Sequence, residues 1–325
     1  MVILFYKIAK GVVMSSLELS FNAVMPIFIL MLIGYVLKIS NFAEKIFFDG
    51  INKLVFRLFL PVLLFYNIYS TESLNIFDGK LIIFTIAGVF FVFAVGFFAV
   101  RLITHHNSRR GVLLQSFFRT NYAILGIPLV ENICKGNTTG LASVMVAVIV
   151  PVFNILAVIG LEYYRNGTPD FKKVVRSIIT NPLIVGCIAG TVLLFLNIKL
   201  PSMVEKSVYD IGKVATPLSI IALGASFSFT HTKDCAKELV IATVARLVVI
   251  PLLVICTAVT LGFRGEPLAC VLIASGAPVA VSSFAMSQQM GGDENLAAQV
   301  IVVTSALCLF SLFGWIFALS SLGLF

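Results

Sequence analysis

Two polar interruptions in apolar sequence are the places where this chain could do chemistry. The first is Arg119-Thr120-Asn121, followed by Gly126 and Pro128. The second is Ser275-Gly276-Ala277-Pro278-Val279, followed by Ser282 and Ser283. Each lies inside an apolar run long enough to cross a bilayer. A helix in lipid must satisfy its own backbone, so such breaks belong where protein or a water-filled cavity surrounds them. An unwound stretch frees carbonyls and N–H groups. The half-helix that starts after it presents a positive dipole end suited to a carboxylate. The bland alternative is a pair of kinks repaired by neighbouring helices, as at Pro26, Pro151 and Pro251.

Two cations also fall within apolar runs. Arg119 directly precedes the first break, and Arg246 lies about ten residues into another run. A cation at that depth needs a cavity or a partner. One reading is attraction of an anionic substrate. The other is that Arg119 reaches an interface along its stem and Arg246 pairs with a helix-end carbonyl. No Asp or Glu sits near the middle of any run, so a carboxylate proton carrier is missing; coupling falls to another group or to the membrane potential. Neutral polar residues placed to line a cavity are Asn67, Gln115, Asn121, Asn154, Ser275, Ser282, Ser283 and Gln288, with Asn121 the foremost.

The elements that must position these residues are membrane helices. Of the 325 residues, 59% are hydrophobic and 12% charged, against about 25% charged in soluble domains. Ten runs of spanning length are expected, near 21–39, 50–69, 80–103, 112–131, 139–164, 175–197, 207–229, 237–262, 267–290 and 296–321. The short linkers carry most Lys and Arg, so the net charge of +8 orients spans and is no sign of nucleic acid. With the N-terminus outside, 13 of the 23 basic residues fall inside and 8 outside, leaving Arg119 and Arg246 in spans. Both termini are therefore expected outside. Residues 1–20, with Lys7 and Lys10, read as an interfacial lead-in. The six cysteines show no metal spacing and no disulfide framework, the three histidines lie in loops, and no cofactor is expected.

The chain also reads as a repeat, the alternative being chance matches, since nine of the eleven prolines fall within or at the edges of expected spans. Pro26 and Pro182 are 156 residues apart, as are Pro61 and Pro217, and Thr120 lies 158 before Pro278. Two halves of five spans, 21–164 and 175–325, joined by a cytoplasmic linker at 165–174, enter the membrane in opposite senses. The expected architecture is thus an all-α membrane protein: ten transmembrane helices in two inverted five-helix repeats, with broken helices four and nine crossing at a mid-membrane site.

Several segments resemble the auxin efflux carrier family, which includes bacterial organic-acid permeases. They are Pro26–Lys38, Leu58–Phe65, Asn121–Leu129, Asn181–Gly190, Thr216–Phe227, Ala277–Phe284 and Gly291–Val303, in family order through nearly the whole chain. The resemblance implies a scaffold domain and a transport domain, each combining helices of both halves, and an elevator-like movement of a small organic anion, malonate- or malate-like. It implies substrate contact by Asn121, with Thr120 where auxin exporters carry Pro. Pro278 retains the Pro of the second break, Asn154 takes a substrate-facing position on helix five, and Leu64 replaces a polar contact. The expected partners are the anion and the lipid bilayer of a bacterial inner membrane, with proton or sodium coupling and a homodimer left open. The binding residues expected are Arg119, Thr120, Asn121, Ser275, Pro278, Val279, Asn154, Asn67 and Arg246. The alternatives are an anion-permeable channel and an intramembrane protease using Asp210 and Asp293. For the protease, the two aspartates fall near span ends on opposite sides, Met290 occupies the first Gly of a G-x-G-D pattern, and no buried His stands near Ser226 or Ser282.

Overall fold

The computed structural model describes residues 25–71, 78–134, 138, 140–165, 171–227 and 234–325. The expected N-terminal lead-in and much of the 165–174 linker lie outside the described residues. All described regular structure is helical, with no strand among the described residues. In chain order the helices are α1 (Met25–Ile39), α2 (Lys45–Tyr69) and α3 (Gly79–Ile103). There follow α4 (Asn107–Phe118), α5 (Tyr122–Ile133), α6 (Leu141–Arg165), α7 (Phe171–Thr180) and α8 (Pro182–Phe195). The remainder are α9 (Ser202–Ser226), α10 (Ala236–Thr260), α11 (Gly265–Gly276), α12 (Ser282–Gln289) and α13 (Glu294–Ser321). Six of these, α2, α3, α6, α9, α10 and α13, are long and apolar enough to cross a membrane. α1, α5, α8 and α11 are shorter apolar helices.

Local chemistry sets the ends. Asp78, Asn181 and Asp293 each accept a hydrogen bond from a first-turn N–H of α3, α8 and α13, a standard N-cap. One boundary differs from the expected span 175–197. Asn181 precedes Pro182 and is held extended (φ −69°, ψ 121°), because proline disfavours the α region for the residue before it. The run therefore divides into α7, which carries Lys172 and Arg176, and apolar α8.

α10 contains a widened π-helical turn at Ala245–Val249, just ahead of Pro251. Proline cannot bond the carbonyl four residues back, here that of Leu247. The indole of Trp315 takes it instead, donating Nε1–H to Leu247 O at 3.1 Å. α2 has a similar turn at Val55–Phe59 before Pro61.

Two groups of helices result. In the first, α1 lies on α9, and α2 lies on α8 and α9, through backbone contacts that only glycine permits. A Cβ on Gly34 would meet Ile221 O at 2.0 Å, and one on Gly190 would meet Phe65 O at 2.6 Å. The second group packs α3 on α4, α4 and α5 on α6, α11 on α5 and α10, and α12 on α13.

Candidate functional site

Both interruptions are real breaks, and they lie against each other. α4 stops at Phe118, and Arg119 is extended (φ −88°, ψ 110°). α11 stops at Gly276, and Ala277 is extended (φ −67°, ψ 155°), the conformation that Pro278 favours in the residue before it. Thr120 and Val279 then form an antiparallel bridge. Asn121 N–H donates to Pro278 O at 2.9 Å, and Val279 N–H donates to Thr304 Oγ1 on α13 at 3.3 Å. Main-chain groups released by two unwound segments thus satisfy one another, as an apolar surrounding requires.

Beside this pairing is a cavity with about 520 Å³ of empty space, part of it open to the surface. Its wall takes Leu60, Leu63 and Leu64 from α2, Thr216 and Ser219 from α9, and Val150, Phe153 and Asn154 from α6. The breaks contribute Arg119, Thr120, Asn121, Ala280 and Val281, with Ala123 and Ile124 of α5 and Ser282 of α12. α5 and α12 both begin at this cavity. Their N-cap residues, Asn121 and Val281, supply no side-chain cap, so both positive helix ends face it uncapped by side chains.

Arg119 is buried, at 3% exposure. Its Nη2 donates to Asn154 Oδ1 and to Ser282 Oγ, each at 2.8 Å. Its Nη1 lies against Met286 Sδ and, at 3.5 Å, Gln115 Oε1. Every one of these partners is neutral, and no carboxylate pairs with Arg119 among the described residues. Asn154 is itself fixed, donating Nδ2–H to Val150 O at 2.9 Å. Three buried polar atoms of the wall, Thr120 Oγ1, Asn121 Nδ2 and Ser219 Oγ, have no hydrogen-bond partner among the described residues. Such groups are costly unless something else satisfies them.

Arg119, Thr120, Asn121 and Asn154 therefore share one wall. Pro278 and Val279 shape the site through their main chain and do not line it. Ser275 and Arg246 lie behind the pairing, on a separate apolar cleft between α3 and α10. Among the described residues Arg246, at 1% exposure, bonds only carbonyls: Nε to Ala277 O at 3.0 Å, Nη1 to Phe117 O at 2.7 Å, and Nη2 to Ala274 O at 3.4 Å and to Ser275 O. Of the two readings offered by the sequence, the structure places Arg246 at helix-end carbonyls. Asn67 stands on α2 outside the cavity wall, its carbonyl accepting from Thr71 Oγ1 at 3.2 Å. Ser219 and Thr216 were missed, although two small polar residues three apart on one helix share a face. The aspartates weighed for proteolysis have separate partners, Asp210 with Lys213 and Asp293 with Arg109. Among the described residues no group of acidic, His or Cys side chains could hold a metal ion.

These features define a polytopic membrane protein built around a polar, cationic cavity. A model of the family described as "Membrane transport protein" matches residues 19–168 and 170–316. The chain is 23% identical to a candidate malonate transporter of Rhizobium meliloti, over 92% of this chain and 95% of that one. It is 24% identical to an uncharacterised transporter of Methanocaldococcus jannaschii, over 91% and 98% of the two chains. It is also 24% identical to the uncharacterised transporter YfdV of Escherichia coli, over 88% and 95%. The chain belongs to the membrane transport protein family, the auxin efflux carriers, and is a membrane transporter.

Proposed function

We propose that the protein is a secondary transporter carrying a small organic anion by alternating access, with the cavity at the two breaks as its binding site. The observation that carries this reading is Arg119, a buried cation without a carboxylate partner among the described residues, on a wall with three unpartnered polar atoms. Each uncapped helix N-terminus adds about half a positive charge. With the guanidinium, the wall then presents about two positive charges, which a dicarboxylate neutralises better than a monocarboxylate. Asn121 Nδ2 and Thr120 Oγ1 are free to bond one carboxylate, and Ser219 the other. The relative named for malonate supplies the first compound to test.

An inverted repeat accounts for several coincidences. Helix starts recur 157 residues apart for Lys45 and Ser202, 157 for Gly79 and Ala236, and 153 for Leu141 and Glu294. The α4 and α11 starts, Asn107 and Gly265, recur at 158. The contact of Gly34 on Ile221 O repeats as Gly190 on Phe65 O, with both partners shifted by 156. In this scheme α4 with α5, and α11 with α12, are single interrupted helices, which gives ten spans with both termini outside. The α1, α2, α8 and α9 group forms the scaffold. The remaining spans form the transport domain, which slides against it as an elevator and carries the cavity across.

Proteoliposomes containing the purified chain should take up labelled malonate or malate in exchange for internal anion. Asn121→Ala should reduce uptake by tenfold or more, on the order of a lost hydrogen bond to a charged group, while the protein stays folded. Wild-type uptake by that variant would remove the assignment.

A further inference from the structure

The same pair of breaks has a second side, and the structure assigns Arg246 as the positioning residue that makes the cavity select anions. Two helices end at the breaks, α4 at Phe118 and α11 at Gly276, and two begin there. The cavity receives the positive ends of the two that begin. The negative ends of α4 and α11 lie one break-length away. The α4 break holds three residues and spans about 10 Å at most, and the α11 break holds five and spans about 17 Å at most. Left alone, two C-termini contribute about one negative charge, which at those distances would offset part of the attraction from the cavity wall.

Arg246 removes this penalty. One planar guanidinium takes Phe117 O from the last turn of α4 and Ala274 O, Ser275 O and Ala277 O from the end of α11. Its single positive charge matches the summed partial charge of the two C-termini. It reaches them from the π-helical turn of α10, a distortion often found at functional sites. The fork also fixes spacing. A guanidinium offers several donors at fixed angles, whereas an ammonium is a compact point charge. The Thr120–Val279 pairing, and with it the direction of the Asn121 amide, is held by this clamp from a side the substrate never touches.

This inference rests on the anion reading above, so its test needs one readout that does not. In the full chain, Arg246→Lys keeps charge without the fork, and Arg246→Ala removes both. The first readout is malonate affinity by calorimetry on folded protein. An unscreened charge at about 10 Å in an intermediate dielectric changes affinity on the order of tenfold. Arg246→Ala, which leaves the two C-termini without a cation, should therefore bind about tenfold more weakly, and Arg246→Lys, which keeps the charge and loses only the fork, should bind more weakly than wild type by a smaller factor. Methylguanidinium should restore Arg246→Ala, because the cleft between α3 and α10 that Arg246 lines gives it a place to bind. The second readout is hydrogen exchange at the Asn121 amide, bonded to Pro278 O, which should accelerate in both variants without ligand. A residue that only stabilises the fold would lower the melting temperature, leave the malonate affinity of the folded fraction unchanged, and accelerate exchange at Asn121 no more than at core amides remote from the breaks. Exchange at Asn121 accelerated no more than at those amides overturns the assignment whatever the affinity does. Wild-type malonate affinity in folded Arg246→Lys does so too. Should wild-type protein bind no malonate, the transport reading fails for that anion, and the exchange rate alone decides the role of Arg246. If Arg246→Ala does not fold, the lysine variant carries both measurements.

Discussion

Arg119 and Arg246 are both buried at the helix breaks, yet they differ in what they bond. Arg246 meets only main-chain carbonyls, from the ends of α4 and α11. Arg119 meets only side chains, from α4, α6 and α12, and stands in a cavity wall. Main-chain acceptors cannot move without moving a helix, so Arg246 is committed to the architecture. Side-chain partners rotate, so Arg119 can exchange neutral neighbours for an incoming carboxylate. On the proposed reading, partners that can rotate away mark the binding cation, and partners fixed in two helix ends mark the structural one.

The largest effect should separate the two by sign. Arg246→Met strands four buried carbonyls and two helix ends, and should cost about 3–5 kcal/mol of stability, as removal of one partner of a buried charge interaction does. Arg119→Met removes a buried cation that has no ionic partner among the described residues. The ligand-free protein should keep its stability or gain about 1 kcal/mol, as loss of strained site groups commonly yields, while malonate binding disappears. Thermal unfolding of both variants, with and without malonate, checks the pair. The comparison is broken if both variants are destabilised alike.

Asn154 offers a sharper cut, because its Oδ1 already touches Arg119 at 2.8 Å. Asn154→Asp places a carboxylate there without changing shape. It should pair with Arg119 and lower malonate uptake on the order of a hundredfold, since like charges set together cost several kcal/mol. Asn154→Ala only loosens the guanidinium and should lower uptake about fivefold, the value of one hydrogen bond. Equal losses from the two changes would mean that the charge of Arg119 is not what holds the anion.

The apolar runs carried most of the fold. The runs expected at 80–103, 237–262 and 296–321 became Gly79–Ile103, Ala236–Thr260 and Glu294–Ser321, because a bilayer imposes length and lipid imposes composition. Both breaks were legible as polar residues and proline inside such runs. The division at Asn181-Pro182 was readable from that dipeptide but is masked by the apolar residues on either side. That Arg246 meets helix-end carbonyls was one of the two readings its sequence offered, but which carbonyls it takes was not legible. Its acceptors lie 28 to 129 residues away in sequence, and a carbonyl acceptor leaves no mark on residue type. Ser219 was hidden for a related reason: which face of α9 meets the cavity depends on how that helix sits against its neighbours, and Gly224 lets α1 come within backbone contact of it.

The smallest effect tests whether the two halves are built alike. A Cβ on Gly34 would meet Ile221 O, the carbon bonded to it and Ala225 N, all main-chain atoms. A Cβ on Gly190 would meet Phe65 O at 2.6 Å, with the Phe65 Cα and the Ile68 Cβ at 3.2 Å. Neither carbonyl can yield as a side chain would, so each substitution must part a helix pair. Gly34→Ala and Gly190→Ala should each cost about 1–3 kcal/mol, the usual penalty of overpacking, with Gly34→Ala the larger because its closest approach is shorter. Neither glycine touches the cavity, so malonate affinity of the folded fraction should stay within about twofold of wild type, as for changes remote from a binding group. Paired losses of stability with affinity retained in both variants fit one contact used twice, its glycine supplied once by each half. A loss at Gly34 with none at Gly190 would leave the 156-residue spacing as a coincidence of sequence.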